Sequence, residues 1–357
     1  MPVAIKRPSQ FARAAIEARS YRRNPAIRDI IEALPEPALI VRESRVTLAN
    51  RAARDVLGQW IEGKDVRLAI RHPAAVEQLL ADDSHPHAET ELVGLGEAAR
   101  RWTMRIARLE DGSMLVRLRD KSEAHAAEQM RVDFVANASH ELRTPLATLV
   151  GYAETLREQG DELDAETRER FTAIVHDEAR RMQRLVEDLI SLSRIEAERF
   201  STPREALPLE DLVEQVIDDC RGTANERGCN LQVEIETDLP AAAGDRIQIL
   251  QMIENLVSNA LRYGRTGTPV RIRLTREGGM VHLAVADQGE GIAAEHIPRI
   301  TERFYRVDPS RSRALGGTGL GMAIVKHIVE RHRGRLSIES VVGEGTTFHV
   351  FLPVATA

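Results

Sequence analysis

The sequence predicts a multidomain α+β protein with three parts: a mixed N-terminal domain, a helical hairpin and a C-terminal α/β sandwich. Three observations lead to this prediction. The chain has 357 residues, which is too long for one ordinary domain. Apolar residues recur at helical spacing through its middle, and short strand-like runs occur before and after them. Hydrophobic residues make up 43% of the chain, which is sufficient for real cores.

The composition excludes several classes of protein. The formal net charge is −6 and charged residues of both signs make up 29% of the chain, which argues against a nucleic-acid binder. The two cysteines, Cys220 and Cys229, imply no disulfide framework, so a reducing compartment is expected. No stretch approaches the roughly eighteen uninterrupted apolar residues of a membrane span. We therefore expect a cytoplasmic chain, for which inner-membrane association would need the basic start or a segment ahead of it.

Residues 1–24 are a basic N-terminal segment, and a mixed domain is expected over residues 25–119. Its expected elements are a helix, two strands, a helix and a strand hairpin, at about 27–34, 38–41, 46–48, 50–57, 101–107 and 113–118. The Leu-Pro…Leu-Ile-Val…Asn-Arg-Ala-Ala…Leu-Gly opening and this order of elements resemble the PAS sensory domains of bacterial sensor kinases. No haem or flavin ligand set is evident, since the histidines are expected in loops, at His72, His85 and His87.

A helical connector followed by a hairpin of two long helices is predicted over residues 120–200. In the first helix, steps of four and three alternate along a row formed by Val135, Ser139, Leu142, Leu146, Leu149, Ala153 and Leu156. The second helix is expected over about 165–196, with a stripe formed by Phe171, Val175, Met182, Leu185, Leu189 and Leu192. Two such helices cannot enclose a good core alone, so two chains are expected to pair their hairpins into a four-helix bundle. The hairpin therefore predicts a homodimer.

One histidine of the first helix has the neighbours that a nucleophile would need. His140 lies one residue past the apolar row, about 100° around the helix, and Thr144 lies one turn further on the same face. Pro145 has no amide hydrogen to donate to the Glu141 carbonyl, which predicts a local irregularity. A neutral imidazole attacks phosphorus well, and an adjacent carboxylate such as Glu141 can accept the imidazole proton. Taken alone, His140 is more simply a solvated histidine on a helix face.

Residues 201–357 form the third part, an α/β sandwich with its helices on one face of a mixed sheet. Three helices are expected at about 209–221, 245–263 and 319–332. Five strands are expected at about 231–236, 270–274, 280–286, 335–340 and 346–352.

Polar residues of this part are arranged as a nucleotide would need them. Asn255 and Asn259 share a helix face, and their amide oxygens suit a Mg²⁺ ion that bridges phosphates. A buried amide explains either asparagine alone equally well. Asp287 ends a strand and can accept from an adenine amino group, while the glycines that follow let the backbone approach the base. The run Gly316–Gly321 precedes an apolar helix, so its amides can cradle a triphosphate.

The combination of motifs resembles one family over about residues 120–355. Its parts are, in order, His140-Glu-Leu-Arg-Thr-Pro, Asn255…Asn259, Asp287-x-Gly-x-Gly291, Arg303-Phe-Tyr-Arg306 and Gly317-x-Gly-x-Gly321. This order is similar to that of an orthodox bacterial two-component sensor histidine kinase. The resemblance implies a C-terminal ATP-binding domain of the type shared by gyrases, chaperones, histidine kinases and mismatch-repair proteins.

The resemblance implies a role for each matching residue. His140 would be the phosphoacceptor and Glu141 its base, and Thr144 would orient water when the protein dephosphorylates its partner. Asn255 would hold Mg²⁺. Contacts with ATP are implied for Asn259, Arg262, Tyr263, Asp287, Gly289, Gly291, Phe304, Arg306, Gly317, Thr318, Gly319, Leu320 and Gly321. Arg262 replaces the commoner lysine, and it keeps the charge but not the geometry of a point donor.

The implied activity is autophosphorylation of His140 from Mg²⁺-ATP, followed by transfer to an aspartate of a response regulator receiver domain. The resemblance further implies that the protein is also the phosphatase of that regulator. A single PAS domain followed by Phe-Val-Ala-Asn-Ala-Ser-His-Glu-Leu-Arg-Thr-Pro resembles the phosphate-regulon sensor group, which usually carries membrane helices ahead of the PAS domain.

Two other functions remain open. An ATPase of the gyrase, mismatch-repair or chaperone type would use a catalytic glutamate on the asparagine helix. Glu254 directly precedes Asn255, but one residue of rotation directs it about 100° away from the asparagine face. A non-catalytic scaffold with a degenerate ATP site is the other alternative, although the glycines and both asparagines are intact.

Overall fold

The computed structural model describes residues 25–80, 89–96, 100–160, 162–198, 201–308 and 316–355. The basic segment 1–24 and the histidines at 85 and 87 lie outside the described residues. The chain divides into two compact units, Met1–Asp133 and Phe134–Ala357. The second unit contains the helical hairpin from Phe134 onward and the C-terminal domain. No helix in the described ranges is long and apolar enough to cross a membrane.

The first unit is a five-stranded antiparallel sheet with short helices. Its elements are α1 Pro25–Glu32, β1 Ala38–Arg42, β2 Arg45–Ala49, α2 Arg51–Leu57, α3 Val66–Ala69, α4 Pro73–Leu80, β3 Glu89–Val93, β4 Arg101–Arg108 and β5 Met114–Asp120. The strand order is β2-β1-β5-β4-β3. The expected strands are present, whereas the sequence did not predict β3. Only Leu92 of that strand is buried, so it lacks the apolar alternation that marks a strand.

Asn50 organises the start of this unit. Its side-chain oxygen caps α2 by accepting from Ala53 N at 2.8 Å, and it also accepts from Ala38 N at 3.0 Å. Its amide nitrogen donates to the carbonyls of Leu34 and Glu36 at 3.0 and 2.8 Å. Because all four bonds of the fully buried amide are made, Asn50 fixes α2 against the first strand.

The hairpin consists of α5, Ser122–Gln159, and α6, Ala165–Ala197. Asp164 caps α6 by accepting from Thr167 N at 2.8 Å. The predicted stripe of α6 is covered, with Leu185 and Leu192 buried. On α5 the predicted row is only partly covered: Leu142 is half-buried, whereas Val135 and Leu146 are 58% and 52% exposed.

The covered face of α5 lies one residue earlier than the predicted row. Phe134 and Glu141 are half-buried there, and Pro145 is buried within the uninterrupted helix. The C-terminal domain packs against this face of the hairpin, where Phe304 contacts Phe134 and Arg306 pairs with Glu141. Ser139 and Ala153 of the predicted row are also exposed, whereas Leu149 and Leu156 are half-buried.

The C-terminal domain is an α/β sandwich, as predicted. Its elements are β6 Glu205–Leu207, α7 Leu209–Glu226, β7 Leu231–Ile235, β8 Ala242–Gly244, α8 Arg246–Tyr263, β9 Val270–Glu277, β10 Met280–Asp287, α9 Gly321–Arg331, β11 Arg335–Val341 and β12 Gly345–Pro353. The main sheet has the order β11-β12-β10-β9-β7, in which only the β7–β9 pair is parallel. The apolar side of α8 is buried in the core of this domain, including Ile249, Ile253, Leu256 and Val257. The other side chains of α8 therefore lie at the edge of the core.

Candidate active site

His140 lies on the exposed face of α5, and Thr144 lies with it. The Thr144 hydroxyl donates to the backbone carbonyl of His140 at 3.3 Å, so the two residues share a face, as their spacing predicts. Both side chains are exposed. A ring nitrogen in this position is accessible to an electrophile that approaches from outside the hairpin.

Glu141 is directed away from His140 and into the interface with the C-terminal domain. Its Oε2 lies 2.8 Å from Arg306 Nη2 and 3.5 Å from Arg181 Nη2. Two arginines therefore surround the carboxylate that was expected to act as a base. Because Arg306 donates to both oxygens of this carboxylate, Glu141 must separate from Arg306 before it can form a hydrogen bond with the His140 ring.

Helix α8 presents Asn255 toward the glycine-rich run. The Asn255 amide nitrogen donates to the Gln251 carbonyl at 2.9 Å, which fixes the direction of its oxygen. A Cβ placed on Gly321 would lie 2.5 Å from Asn255 Oδ1, so this oxygen faces the start of α9. An amide oxygen aimed at a phosphate-binding loop fits a Mg²⁺ ligand, because Mg²⁺ takes oxygen donors and bridges phosphates. Asn259 follows one turn later and is half-buried.

Asp287, Gly289 and Tyr263 meet at the end of β10. Asp287 Oδ1 accepts from Gly289 N at 2.7 Å, while burial raises the pKa of its carboxyl group. A Cβ on Gly289 would lie 2.5 Å from Tyr263 O, so only glycine fits this approach. Gly291 has a φ of 69°, and a Cβ there would lie 2.1 Å from Val341 O. Gly289 thus brings the Asp287 carboxylate close to the C-terminal end of α8, where an adenine base could bind.

The glycine loop, residues 316–321, leads into α9. Leu320 precedes this helix without a side-chain cap, so the first amides of α9 are left for another acceptor. Gly317 and Leu320 are buried, and Gly319 has a φ of 76°. Uncapped amides behind a glycine turn are the arrangement that binds phosphate groups.

The Arg303–Arg306 segment connects the glycine loop to the hairpin. Phe304 N donates to Gly319 O at 2.8 Å, and Arg306 Nη2 donates to Thr318 O at 2.9 Å. Phe304 has a φ of 63°, a conformation that is costly for a bulky side chain. Its ring lies 6.0 Å from the Phe134 ring on α5, so the side chain contacts the hairpin and the backbone contacts the loop.

Sequence reasoning missed several residues that join the two domains. Asp188 of α6 accepts from Thr318 Oγ1 at 2.7 Å, and Ser191 donates to Gln251 Oε1 at 2.6 Å. Further ion pairs join Arg303 to Glu196 and Arg331 to Glu198. The partners are far apart in the chain and carry no shared motif, so no sequence signal could have identified them.

Arg262 is placed near the same interface. Burial lowers the pKa of its guanidinium, while Tyr263 and Asp188 raise it. Arg262 therefore lies close to Arg184 and Asp188 of α6.

Glu254 is turned away from Asn255. Loss of solvation raises the pKa of its carboxyl group, and Asp219 on the neighbouring α7 raises it further. Burial raises the pKa of the thiol of Cys220, another α7 residue, and the nearby Glu254 raises it further. The glutamate that a gyrase-type ATPase would need is thus directed at α7 and not at the Asn255 face.

Comparisons with known proteins agree with this arrangement. The His Kinase A (phospho-acceptor) domain model matches residues 130–198. The model of the histidine kinase-, DNA gyrase B- and HSP90-like ATPase matches residues 244–356. The phosphate regulon sensor protein PhoR of Pseudomonas aeruginosa is 34% identical over 346 residues, which cover 93% of this chain and 77% of PhoR. The chain belongs to the sensor histidine kinases.

This kinase covers a different share of each of its other relatives. The sensor protein SrrB of Staphylococcus aureus is 34% identical over 95% of this chain, which spans 57% of SrrB. The solved structure of the histidine kinase ThkA in complex with the response regulator protein TrrA has a TM-score of 0.50 at 19% identity, over 92% of this chain and 98% of that one. At this identity the likeness shows a shared fold.

The prediction of a protein histidine kinase with an ATP-binding domain is thereby confirmed. A gyrase-type ATPase would not account for the phospho-acceptor domain that precedes the ATPase domain in this kinase.

Proposed function

We propose that this kinase transfers the γ-phosphoryl group of ATP to His140 and then to an aspartate of a response regulator receiver domain. The observation that carries the proposal is the exposure of His140 on the same hairpin that packs against the nucleotide-binding residues. A lone pair of the imidazole forms the nitrogen–phosphorus bond as the bond to the bridging oxygen breaks, and ADP leaves with that electron pair. The proton on the other ring nitrogen passes to a base.

Glu141 is the proposed base, after it has separated from Arg306. The separation requires the ATP-binding domain to move relative to the hairpin, because Arg306 also donates to the glycine loop at Thr318 O. Glu141 directly follows His140 in the chain, so the freed carboxylate can turn toward the ring and accept its proton. Movement of the domain thus couples delivery of ATP to release of the base.

Mg²⁺ is proposed as a cofactor, held by Asn255 Oδ1, where it would neutralise phosphate charge. Asn259 and Arg262 are proposed to contact the phosphates, and Asp287 the adenine amino group. Asp287 suits this role because its carboxylate is partly buried, which raises its pKa. A carboxylate with little solvation is stabilised by a hydrogen-bond donor such as an amino group.

Thr144 is proposed to act in the opposite direction of phosphate flow. Its exposed hydroxyl lies one turn from His140 on the face that a docked regulator would contact. There it would orient a water molecule toward the regulator's phosphoaspartate, so that the kinase also acts as a phosphatase. The regulator itself is proposed from the ThkA complex and from the phospho-acceptor domain.

A homodimer is proposed because the hairpin leaves apolar side chains exposed in a single chain. Val135, Leu146 and Val150 on α5 and Ile190 on α6 are each at least 47% exposed. A second hairpin would cover them in a four-helix bundle.

Residues 25–119 are proposed to form a PAS sensory domain. The support is the antiparallel strand order 2-1-5-4-3, with the helices between β2 and β3. Phosphate-regulon signalling is a finer proposal, supported by the similarity to PhoR. Growth in limiting phosphate of a host that lacks the gene, with induction of phosphate-uptake genes as the readout, tests this assignment.

The test of the phosphotransfer proposal uses the full chain and ATP labelled at the γ-phosphate. The variant His140→Gln should lose acid-labile label while its ATP affinity is unchanged. The control His176→Gln changes an exposed histidine of α6 and should label normally. Label that persists in His140→Gln would refute the assignment. Steady hydrolysis without phosphohistidine in the wild type would favour an ATPase, and absence of ATP binding would favour a scaffold.

A further inference from the structure

Asp188 of the hairpin contacts the glycine loop of the ATP-binding domain. Its Oδ2 accepts a hydrogen bond from Thr318 Oγ1 at 2.7 Å, although the two residues are 130 positions apart. Thr318 Oγ1 also lies 3.3 Å from Leu320 N, one of the amides at the start of α9. A carboxylate from another domain is therefore bonded to the loop where phosphate groups are expected.

Two arginines act on the same carboxylate. Arg184, one turn earlier on α6, and Arg262, near the end of α8, both lower the pKa of Asp188, against burial, which raises it more strongly. A Cβ placed on Gly316 would lie 3.1 Å from Arg184 Nη2, so this side chain reaches the first residue of the glycine loop. Asp188 thus accepts one hydroxyl hydrogen bond, and two guanidinium groups lie near enough to favour its charged form.

These groups are the ones that a triphosphate would use. Arginines and loop hydroxyls bind phosphate oxygens as they bind carboxylate oxygens, since both are anionic acceptors. A phosphate group beside Asp188 would meet a like charge in a partly buried position, where repulsion is poorly screened. The Asp188 carboxylate and the terminal phosphate are therefore expected to exclude each other from this position.

We propose that Asp188 competes with the terminal phosphate of ATP for Thr318 and Arg262, and thereby lowers the affinity of the resting kinase for ATP more than for ADP. The inference rests on the proposed ATP site. ADP has no terminal phosphate and carries less negative charge, so it competes less with the carboxylate. Because Asp188 belongs to the hairpin, its displacement by ATP also weakens the contact between the two domains. By linkage, whatever separates the domains tightens ATP binding.

The test measures dissociation constants of ATP and ADP by titration calorimetry on the full chain. The variant Asp188→Asn keeps an oxygen that can accept from Thr318 and removes the charge. We expect its ATP affinity to rise at least about fivefold, the lower end of typical coupling between sites, and its ADP affinity to rise less. The matched control is Asp177→Asn, which makes the same change on the same helix at a side chain that is 81% exposed. It should leave both constants unchanged.

A second variant, Asp188→Ala, removes the acceptor as well as the charge and should give an equal or larger gain for ATP. Thermal melts of both variants show whether they are folded. A purely structural role for Asp188 would change the melting temperature and leave the ratio of the two constants as in the wild type. An unchanged ratio in variants that fold, with a wild type that binds ATP, overturns the inference alone. A wild type that binds no ATP overturns the proposed function and this inference with it.

Discussion

Arg306 Nη2 lies 2.8 Å from Glu141 Oε2, which joins the ATP-binding domain to the residue that follows His140. The side chain of Arg306 is 5% exposed and that of Glu141 is 25% exposed, so the ion pair is largely shielded from water. The same guanidinium donates to Thr318 O in the glycine loop. One arginine thus connects the proposed base with the proposed phosphate site.

Removal of Arg306 should destabilise the kinase more than removal of a surface arginine. Arg306→Gln leaves Glu141 with Arg181 alone, and we expect a loss of about 1–3 kcal/mol of unfolding free energy. The control Arg221→Gln breaks an exposed pair with Asp218 and should cost no more than about 0.5 kcal/mol. Thermal unfolding of both variants measures the difference. Equal shifts in the two variants would show that the Arg306 pair contributes no more than a surface pair.

Loss of the Asn255 oxygen should remove the effect of Mg²⁺ on nucleotide binding. In Asn255→Ala, the ATP affinity measured in Mg²⁺ should fall about five- to thirtyfold, toward the value measured in EDTA, since one lost ligand bond costs about 1–2 kcal/mol. Asn225→Ala changes an exposed asparagine of α7 and serves as the control. Retention of the full Mg²⁺ enhancement in Asn255→Ala would assign the metal to other residues.

The stability of the kinase should decrease as the pH is lowered, because His327 has a low pKa in the folded protein. Burial, together with Arg303 and Lys326, lowers the pKa of His327 from 6.5 to about 4. Glu196 lies 3.6 Å from the His327 ring but pairs with Arg303, so we expect the ring to be neutral. The unfolded chain then binds the proton more tightly, and stability present above pH 6.5 is lost as the pH falls toward 4. The loss is at most on the order of 3 kcal/mol.

Melting temperatures measured between pH 7 and pH 5 test this effect. His327→Gln should show a shallower decrease than the wild type, because it removes a group that must charge on unfolding. His176→Gln, an exposed histidine, should keep the wild-type slope. Identical slopes in all three proteins would mean that His327 titrates normally in the folded state.

The exposed apolar side chains of the hairpin should determine the oligomeric state. Leu146→Glu and Ile190→Glu each place a charge in the proposed interface and should convert the dimer to a monomer, because a buried unpaired charge is costly. Val342→Glu alters an exposed apolar residue of the ATP-binding domain and should leave the dimer intact. Light scattering during size-exclusion chromatography gives the molar mass of each variant. A Leu146→Glu variant that stays dimeric would place the interface elsewhere.

Most elements around the site were predictable because each has a local signature. Helix α8 begins after Asp245, which caps it by accepting from Ile247 N at 3.1 Å, and strands β9 and β10 alternate clearly. The short strands β6 and β8 were missed because they have three residues each and pair only through the tertiary fold. The covered face of α5 was displaced by one residue for a similar reason, since its partner is a separate domain.

By itself the sequence determined the family and the order of the motifs. These features depend on neighbouring residues, because turn conformation and ligand chemistry are specified within a few positions. Only the tertiary structure decided that Glu141 meets Arg306 and that Asp188 meets Thr318, across 165 and 130 positions. Such pairs depend on how the ATP-binding domain packs on the hairpin, and packing between domains leaves no periodic pattern in the chain.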